Sequence, residues 1–91
     1  MIIRAYAYFK DIIGTGEMTW NEPASCLGDV LQALSRRYGK PFDKWMFNPD
    51  GSLSELVIVL VDGKDVRDTQ GINTLLTPDS TIVMFPPLAG G

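Results

Sequence analysis

The first apolar signal along the chain has a period of two. In IIRAYAYFK, residues Ile3, Ala5, Ala7 and Phe9 fall on one side and Arg4, Tyr6, Tyr8 and Lys10 on the other, the alternation of a strand with one buried face. The segment predicts a first strand with its odd-numbered residues inward. Residues Gly14 to Gly16 read as a turn, and EMTW beyond them returns as an antiparallel partner. The N-terminal part is therefore expected to be a hairpin whose long tip holds Ile12 and Ile13.

The period then changes. Across PASCLGDVLQALSRRYG, residues Leu27, Val30, Leu31, Leu34 and Tyr38 line one helical stripe. Ser25 as N-cap, Asp29 near the positive end of the dipole, Arg36 and Arg37 in the last turn and Gly39 in a left-handed cap mark its ends. The stretch with Phe42, Trp45, Met46 and Phe47 predicts a short strand or helical turn at 44–47, followed by a turn at NPDG. LVIVLV is a strand with apolar residues on both faces, and Asp62-Gly63 turns tightly into a short strand at Lys64 to Val66. Residues 67–78 read as connecting loop, with Leu75 and Leu76 tucked under the core. STIVMF is the last strand, ended by Pro86, which has no N–H to give a ladder.

This order contains no alternating βαβ series, and its one long helix has to cover one face of one sheet. The expected fold class is α+β, a β-grasp (ubiquitin-like) arrangement: a mixed sheet of about five strands with one main helix packed on one face. Its first and last strands are expected side by side and parallel.

Composition narrows the function classes. A chain of 91 residues is expected to form a single domain, 1–91, with 86–91 as an extended C-terminal tail. Eight basic against eleven acidic residues, in no block of either sign, give a formal charge of −3 and argue against a phosphate backbone as ligand. Nucleic acid is not an expected partner. The longest apolar run, Leu56 to Val61, is too short to cross a bilayer, and MIIRAYAYF lacks the parts of a signal peptide, so no membrane is expected and the reading is cytoplasmic. There is no histidine and a single cysteine, Cys26, which removes most catalytic constellations and any internal disulfide. Cys26 reads as inert core, and Asp62, Asp65 and Asp68 as turn and solvent chemistry, because the calcium-loop pattern is absent. No metal site and no bound cofactor are expected.

The remaining chemistry lies at the end of the sequence, MFPPLAGG. Pro86 and Pro87 favour an extended polyproline form at about 3.1 Å per residue, so six residues from Pro86 span roughly 19 Å. Glycines lack a Cβ, and Gly90 and Gly91 can enter a narrow channel in another protein. A carboxylate there is inert until activated by transfer to the α-phosphate of ATP. The chain has no GxxxxGK[ST] phosphate loop, so an activating enzyme would be a partner.

VDGKDV, followed at the terminus by IVMFPPLAGG, resembles the small subunit of molybdopterin synthase, a family related to the thiamine sulfur carrier and the archaeal ubiquitin-like modifiers. The likeness spans essentially the whole chain, and its specific part is Phe85, Pro86, Pro87, Gly90 and Gly91. The resemblance implies a non-catalytic subunit whose Gly91 is adenylated by an E1-like enzyme using ATP and converted to a thiocarboxylate. Leu88, Ala89, Gly90 and Gly91 would then enter the large subunit of molybdopterin synthase, within a heterotetramer, to supply sulfur for the dithiolene. The alternatives are a modifier joined through Gly91 to lysines, a thiamine-pathway carrier, or an interaction domain whose tail is never activated. Expected partner-binding residues are Phe85, Pro86, Pro87, Tyr6, Tyr8 and Lys10, the last facing an acidic partner. Tyr6, Tyr8, Ile58 or Val59, and Met84 read either as an exposed docking patch or as residues buried beneath segment 41–53.

Overall fold

The computed structural model describes residues 1–87. Five strands form one mixed sheet: β1 (Ile2–Ala5), β2 (Glu17–Thr19), β3 (Ile58–Val61), β4 (Lys64–Asp65) and β5 (Thr81–Phe85), in the order β2-β1-β5-β3-β4. β1 and β5 run parallel, in the register Ile2 to Thr81 through Ala5 to Met84, while β3 pairs antiparallel with the other side of β5, from Ile58 opposite Phe85 to Val61 opposite Ile82. This is the β-grasp arrangement the element order predicts.

Three α-helices, the expected main helix and two short ones, pack on a single face: α1 (Tyr8–Ile13), α2 (Leu27–Tyr38) and α3 (Lys40–Met46). Period two in the strands supplies the other half of the core, with Ile3, Ala5, Val59, Val61, Ile82 and Met84 buried on the face beneath them. From α2, Leu27, Val30, Leu31 and Leu34 are buried, and from α3, Phe42 and Met46. Each large apolar side chain taken out of water contributes roughly 1.5–3 kcal/mol.

The long helix forms where its stripe predicts, with differences at both ends. Cys26, not Ser25, is the N-cap, and the Asp29 carboxylate accepts from the backbone N–H groups of Ser25 at 2.9 Å and Cys26 at 3.3 Å. These two bonds hold the Asp29 carboxyl below its usual pKa. Gly39 has a positive φ of 69° but ψ −146°, outside the left-handed helical region, because the chain goes straight into α3. α3 extends the expected turn back to Lys40, since Phe42 and Met46 stand four residues apart and Pro41 suits a first helical turn.

The first strand ends at Ala5, five residues short of the end of the alternating pattern at Lys10. Ala7 takes φ 54°, ψ −132°, the first central position of a type II′ turn closed by Phe9 N–H to the Tyr6 carbonyl at 3.2 Å. The chain then coils as α1, which buries Phe9 and Ile13 at helical spacing. Leu76 is buried as expected. Leu75, expected beneath the core, is 74% exposed, because its backbone bridges to Cys26 and its side chain points away from its neighbour's. The turn after β3 follows expectation: Asp62 (φ 51°) and Gly63 (φ 85°) both adopt positive φ, and the Asp62 carboxylate accepts from Thr81 N–H at 2.9 Å. β4 stops at Asp65, one residue early, because its carboxylate accepts from Arg67 N–H and starts a 3₁₀ turn at Val66.

Two outcomes test this account. Asp62→Ala removes a hydrogen bond and places a residue less tolerant of positive φ in the turn, and is expected to cost about 1–2 kcal/mol in urea unfolding; Asp62→Gly is expected to cost less. Because the folded-state pKa of Asp29 is lowered, its contribution is present above the unfolded carboxylate value and is lost as pH falls through the folded one. Asp29→Asn is therefore expected to flatten the acid limb of a stability-versus-pH curve below about pH 4.

Candidate functional site: the root of the C-terminal tail

β5 is the central strand, so the tail starts in the middle of the sheet rather than at an edge. Phe85 is the last residue in register, opposite Ile58, and Pro86 and Pro87 follow it. Leu88, Ala89, Gly90 and Gly91, the residues expected to enter a partner, lie outside the described residues.

Both flanks of the tail root are set by backbone pairing. On the β1 side, Tyr6 N–H donates to the Met84 carbonyl at 3.1 Å, extending the parallel ladder one residue past Ala5 and bringing Tyr6 level with the end of β5. On the β3 side, the antiparallel register ends at Ile58 opposite Phe85, and Val57 and Leu56 precede it in the chain. Val57 is buried, whereas Tyr6 is 51% and Leu56 49% exposed. Two large apolar side chains thus stand open on either side of the strand that becomes the tail.

Tyr8 braces one flank. Its ring stacks on Trp45 of α3 at 4.2 Å between centroids, and its hydroxyl donates to the Leu56 carbonyl. Partial burial pushes the Tyr8 phenol above its usual pKa. The Lys44 ammonium lies 5.2 Å from the Trp45 ring centroid, within cation–π range. Lys10 is exposed on α1.

The second surface is the sheet face opposite the helices. There the other members of each alternating pair, Arg4 on β1, Ile58 and Leu60 on β3, and Val83 and Phe85 on β5, are exposed or half-exposed. Arg4 Nε contacts the Glu17 carboxylate at 2.9 Å across the β1–β2 pair. An apolar strip bounded by polar groups is a surface suited to a protein partner.

The sequence left Tyr6, Tyr8, Ile58 or Val59, and Met84 between an exposed docking patch and burial, and the structure divides them. Val59 and Met84 are fully buried on the helix face, and Ile58 lies on the opposite face. Tyr6 and Tyr8 are separated by the type II′ turn, which sends Tyr8 to α3. Trp45 was read from the sequence only as part of an apolar stretch, and Leu56, Leu60 and Val83 only as strand residues. Alternation through STIVMF already contained the signal for Val83; the contact of Trp45 with Tyr8 is purely tertiary.

Among the described residues no group of three or more His, Cys, Asp or Glu side chains could hold a metal ion, and no helix is long and apolar enough to cross a membrane. Cys26 is half-buried at the start of α2. Tyr8→Phe is expected to lower stability by about 1 kcal/mol in thermal denaturation. The raised phenol pKa gives a contribution that is complete below the unfolded tyrosine value and lost as pH rises through the folded one, so this variant is also expected to lose alkaline sensitivity near pH 10 and above.

Comparison with known proteins agrees with the geometry. Residues 3–91 match the ThiS family. Small archaeal modifier protein 3 of Haloferax volcanii is 30% identical over 90 residues, which cover 98% of this chain and 96% of that one. The solution structure of small archaeal modifier protein 1 from Methanosarcina acetivorans superposes with a TM-score of 0.79 at 26% identity, covering 99% and 94% of the two chains. The Amycolatopsis orientalis BexX/CysO complex contains a chain with the same fold at 16% identity, TM-score 0.79, covering 99% and 98%. With a tail rooted in the central strand of a β-grasp sheet and sequence similarity along its length, the chain belongs to the ThiS family of ubiquitin-like sulfur carriers and small modifiers.

Proposed function

We propose that this chain carries sulfur on its own C-terminus for building the dithiolene of molybdopterin. An E1-like enzyme joins the Gly91 carboxylate to the α-phosphate of ATP, releasing pyrophosphate and leaving an acyl-adenylate. A sulfide-level donor then attacks the acyl carbon, AMP departs with the electron pair of the broken C–O bond, and a thiocarboxylate remains. The large subunit of molybdopterin synthase would receive the tail and use its sulfur. The observation that carries this reading is the placement of Phe85-Pro86-Pro87 at the end of the central strand. Family membership supports it, as does the capture of the like-folded CysO chain with a protein partner.

A second reading is conjugation of Gly91 to lysines of other proteins, favoured by 30% identity to a small archaeal modifier along almost the full length of both chains. The two share the adenylation step and part afterwards. Intact-mass measurement after incubation with the cognate E1-like enzyme, ATP and a sulfur donor separates them. Carriage predicts replacement of one oxygen by sulfur at the C-terminus; conjugation predicts the chain attached to lysines elsewhere. Deletion of Gly91 is expected to abolish both products while leaving the unfolding midpoint unchanged, and Gly90→Val is expected to slow adenylation by blocking a narrow channel.

A further inference from the structure

The helix layer carries a groove that neither the core nor the tail uses. Gly28, Gln32, Ser35 and Arg36 stand at helical spacing along one flank of α2, next to its buried stripe. Two loops wall this flank in: the turn after α3 brings up Phe47 and Gly51, and the 3₁₀ turn Gly71–Asn73 brings up Ile72, which is 39% exposed. The space between them is about 390 Å³, large enough to seat a bulky side chain. We propose that this groove binds an acidic, extended segment of a partner protein, with an apolar side chain of that segment seated between Ile72 and Phe47. The groove shares no residue with the tail root or the open sheet face, so the inference goes beyond the carrier reading and does not depend on it.

Charge selects the occupant. In a chain of formal charge −3, residues 36–44 hold Arg36, Arg37, Lys40 and Lys44 with Asp43 as their single acid. Arg37 is paired with Glu22 at 3.1 Å, whereas among the described residues Arg36, Lys40 and Lys44 form no ion pair. Arg36 lies in the groove itself, and Lys40 and Lys44 line the adjoining hollow beyond Phe47 together with Asp43. Asp50 on the turn is already engaged: its carboxylate accepts from the Ser52 N–H at 3.0 Å and the Ser52 hydroxyl at 2.6 Å. The uncommitted charge beside the groove is therefore positive, and it favours an anionic partner. Gln32 offers an amide and Ser35 a hydroxyl from the same flank, a donor and acceptor set for the main chain of an extended peptide. From Gly28 to Arg36 the helix rises about 12 Å, the reach of about four extended residues. Both walls are braced. Asn48 N–H donates to the Ser52 carbonyl at 2.8 Å and Ser54 N–H to the Met46 carbonyl at 2.9 Å, and across the groove the Thr74 hydroxyl donates to the Gly71 carbonyl at 2.7 Å. A groove already held open binds at lower entropic cost.

Amide NMR shifts of the isotope-labelled full chain, titrated with a blocked peptide of about six residues in which glutamates flank a Leu-Phe pair, test the groove. Shifts are expected at Gly28, Gln32, Ser35, Gly51 and Ile72 and not on β1 or β5. Arg36→Glu and Ile72→Ser are each expected to weaken binding about tenfold; both side chains are exposed, so the fold is kept. Lys64→Glu, the same kind of charge reversal on β4, is expected to change it less than about twofold. Peptides with serines in place of Leu-Phe, or lysines in place of the glutamates, are each expected to bind at least about tenfold more weakly. No shift at millimolar peptide, shifts that leave the groove residues unmoved, equal binding by either altered peptide, or an equal loss with Lys64→Glu overturns the proposal. Shifts at the groove residues on raising the concentration of the chain alone make a second copy the occupant and overturn it as well.

Discussion

The structure depends on the last strand being held from both sides. Parallel pairing with β1 and antiparallel pairing with β3 engage both rows of β5 backbone groups, and buried backbone groups need such partners. A C-terminal strand at a sheet edge would fray. In the centre it is fixed by two ladders and by Ile82 and Met84, both fully buried. The point where the chain leaves the fold is thereby set, because Pro86 has no N–H with which to continue.

That constraint separates stability from chemistry. One face of the sheet is closed by α1, α2 and α3, and nearly all the large buried side chains lie between. The opposite face and the tail root carry exposed or half-exposed residues whose replacement costs the core little.

The tail root is nevertheless built by the helices. Had β1 continued along its alternating pattern, Tyr8 would lie on the open face with Tyr6. The turn at Ala7 diverts it instead to α3, where it stacks on Trp45 and holds the carbonyl of Leu56. Segments far apart in sequence thus meet, and the aromatic 40–47 stretch packs on the helix face of the sheet instead of covering the open one.

Local pattern was sufficient wherever one period dominated. The stripe from Leu27 to Leu34, the Asp62-Gly63 turn, the alternation through Ile82 and Met84 and the Phe-Pro-Pro stop were all legible, and with them the element order and the β-grasp class. Patterns failed where two periods competed: Phe9 fits both a strand running from Ile3 and a helix shared with Ile13, and burial of both residues against the core selected the helix. They failed again at Leu75 and Leu76, where adjacent leucines look alike in sequence and only the bridge to Cys26 decides which one is buried. The sequence by itself determined where the last strand stops, because Pro86 and Pro87 have no N–H to give a ladder. Tertiary structure alone decided what stands beside that end, because the neighbours of β5 come from strands and helices up to about 80 residues away, and contact across such separations follows from packing rather than local periodicity.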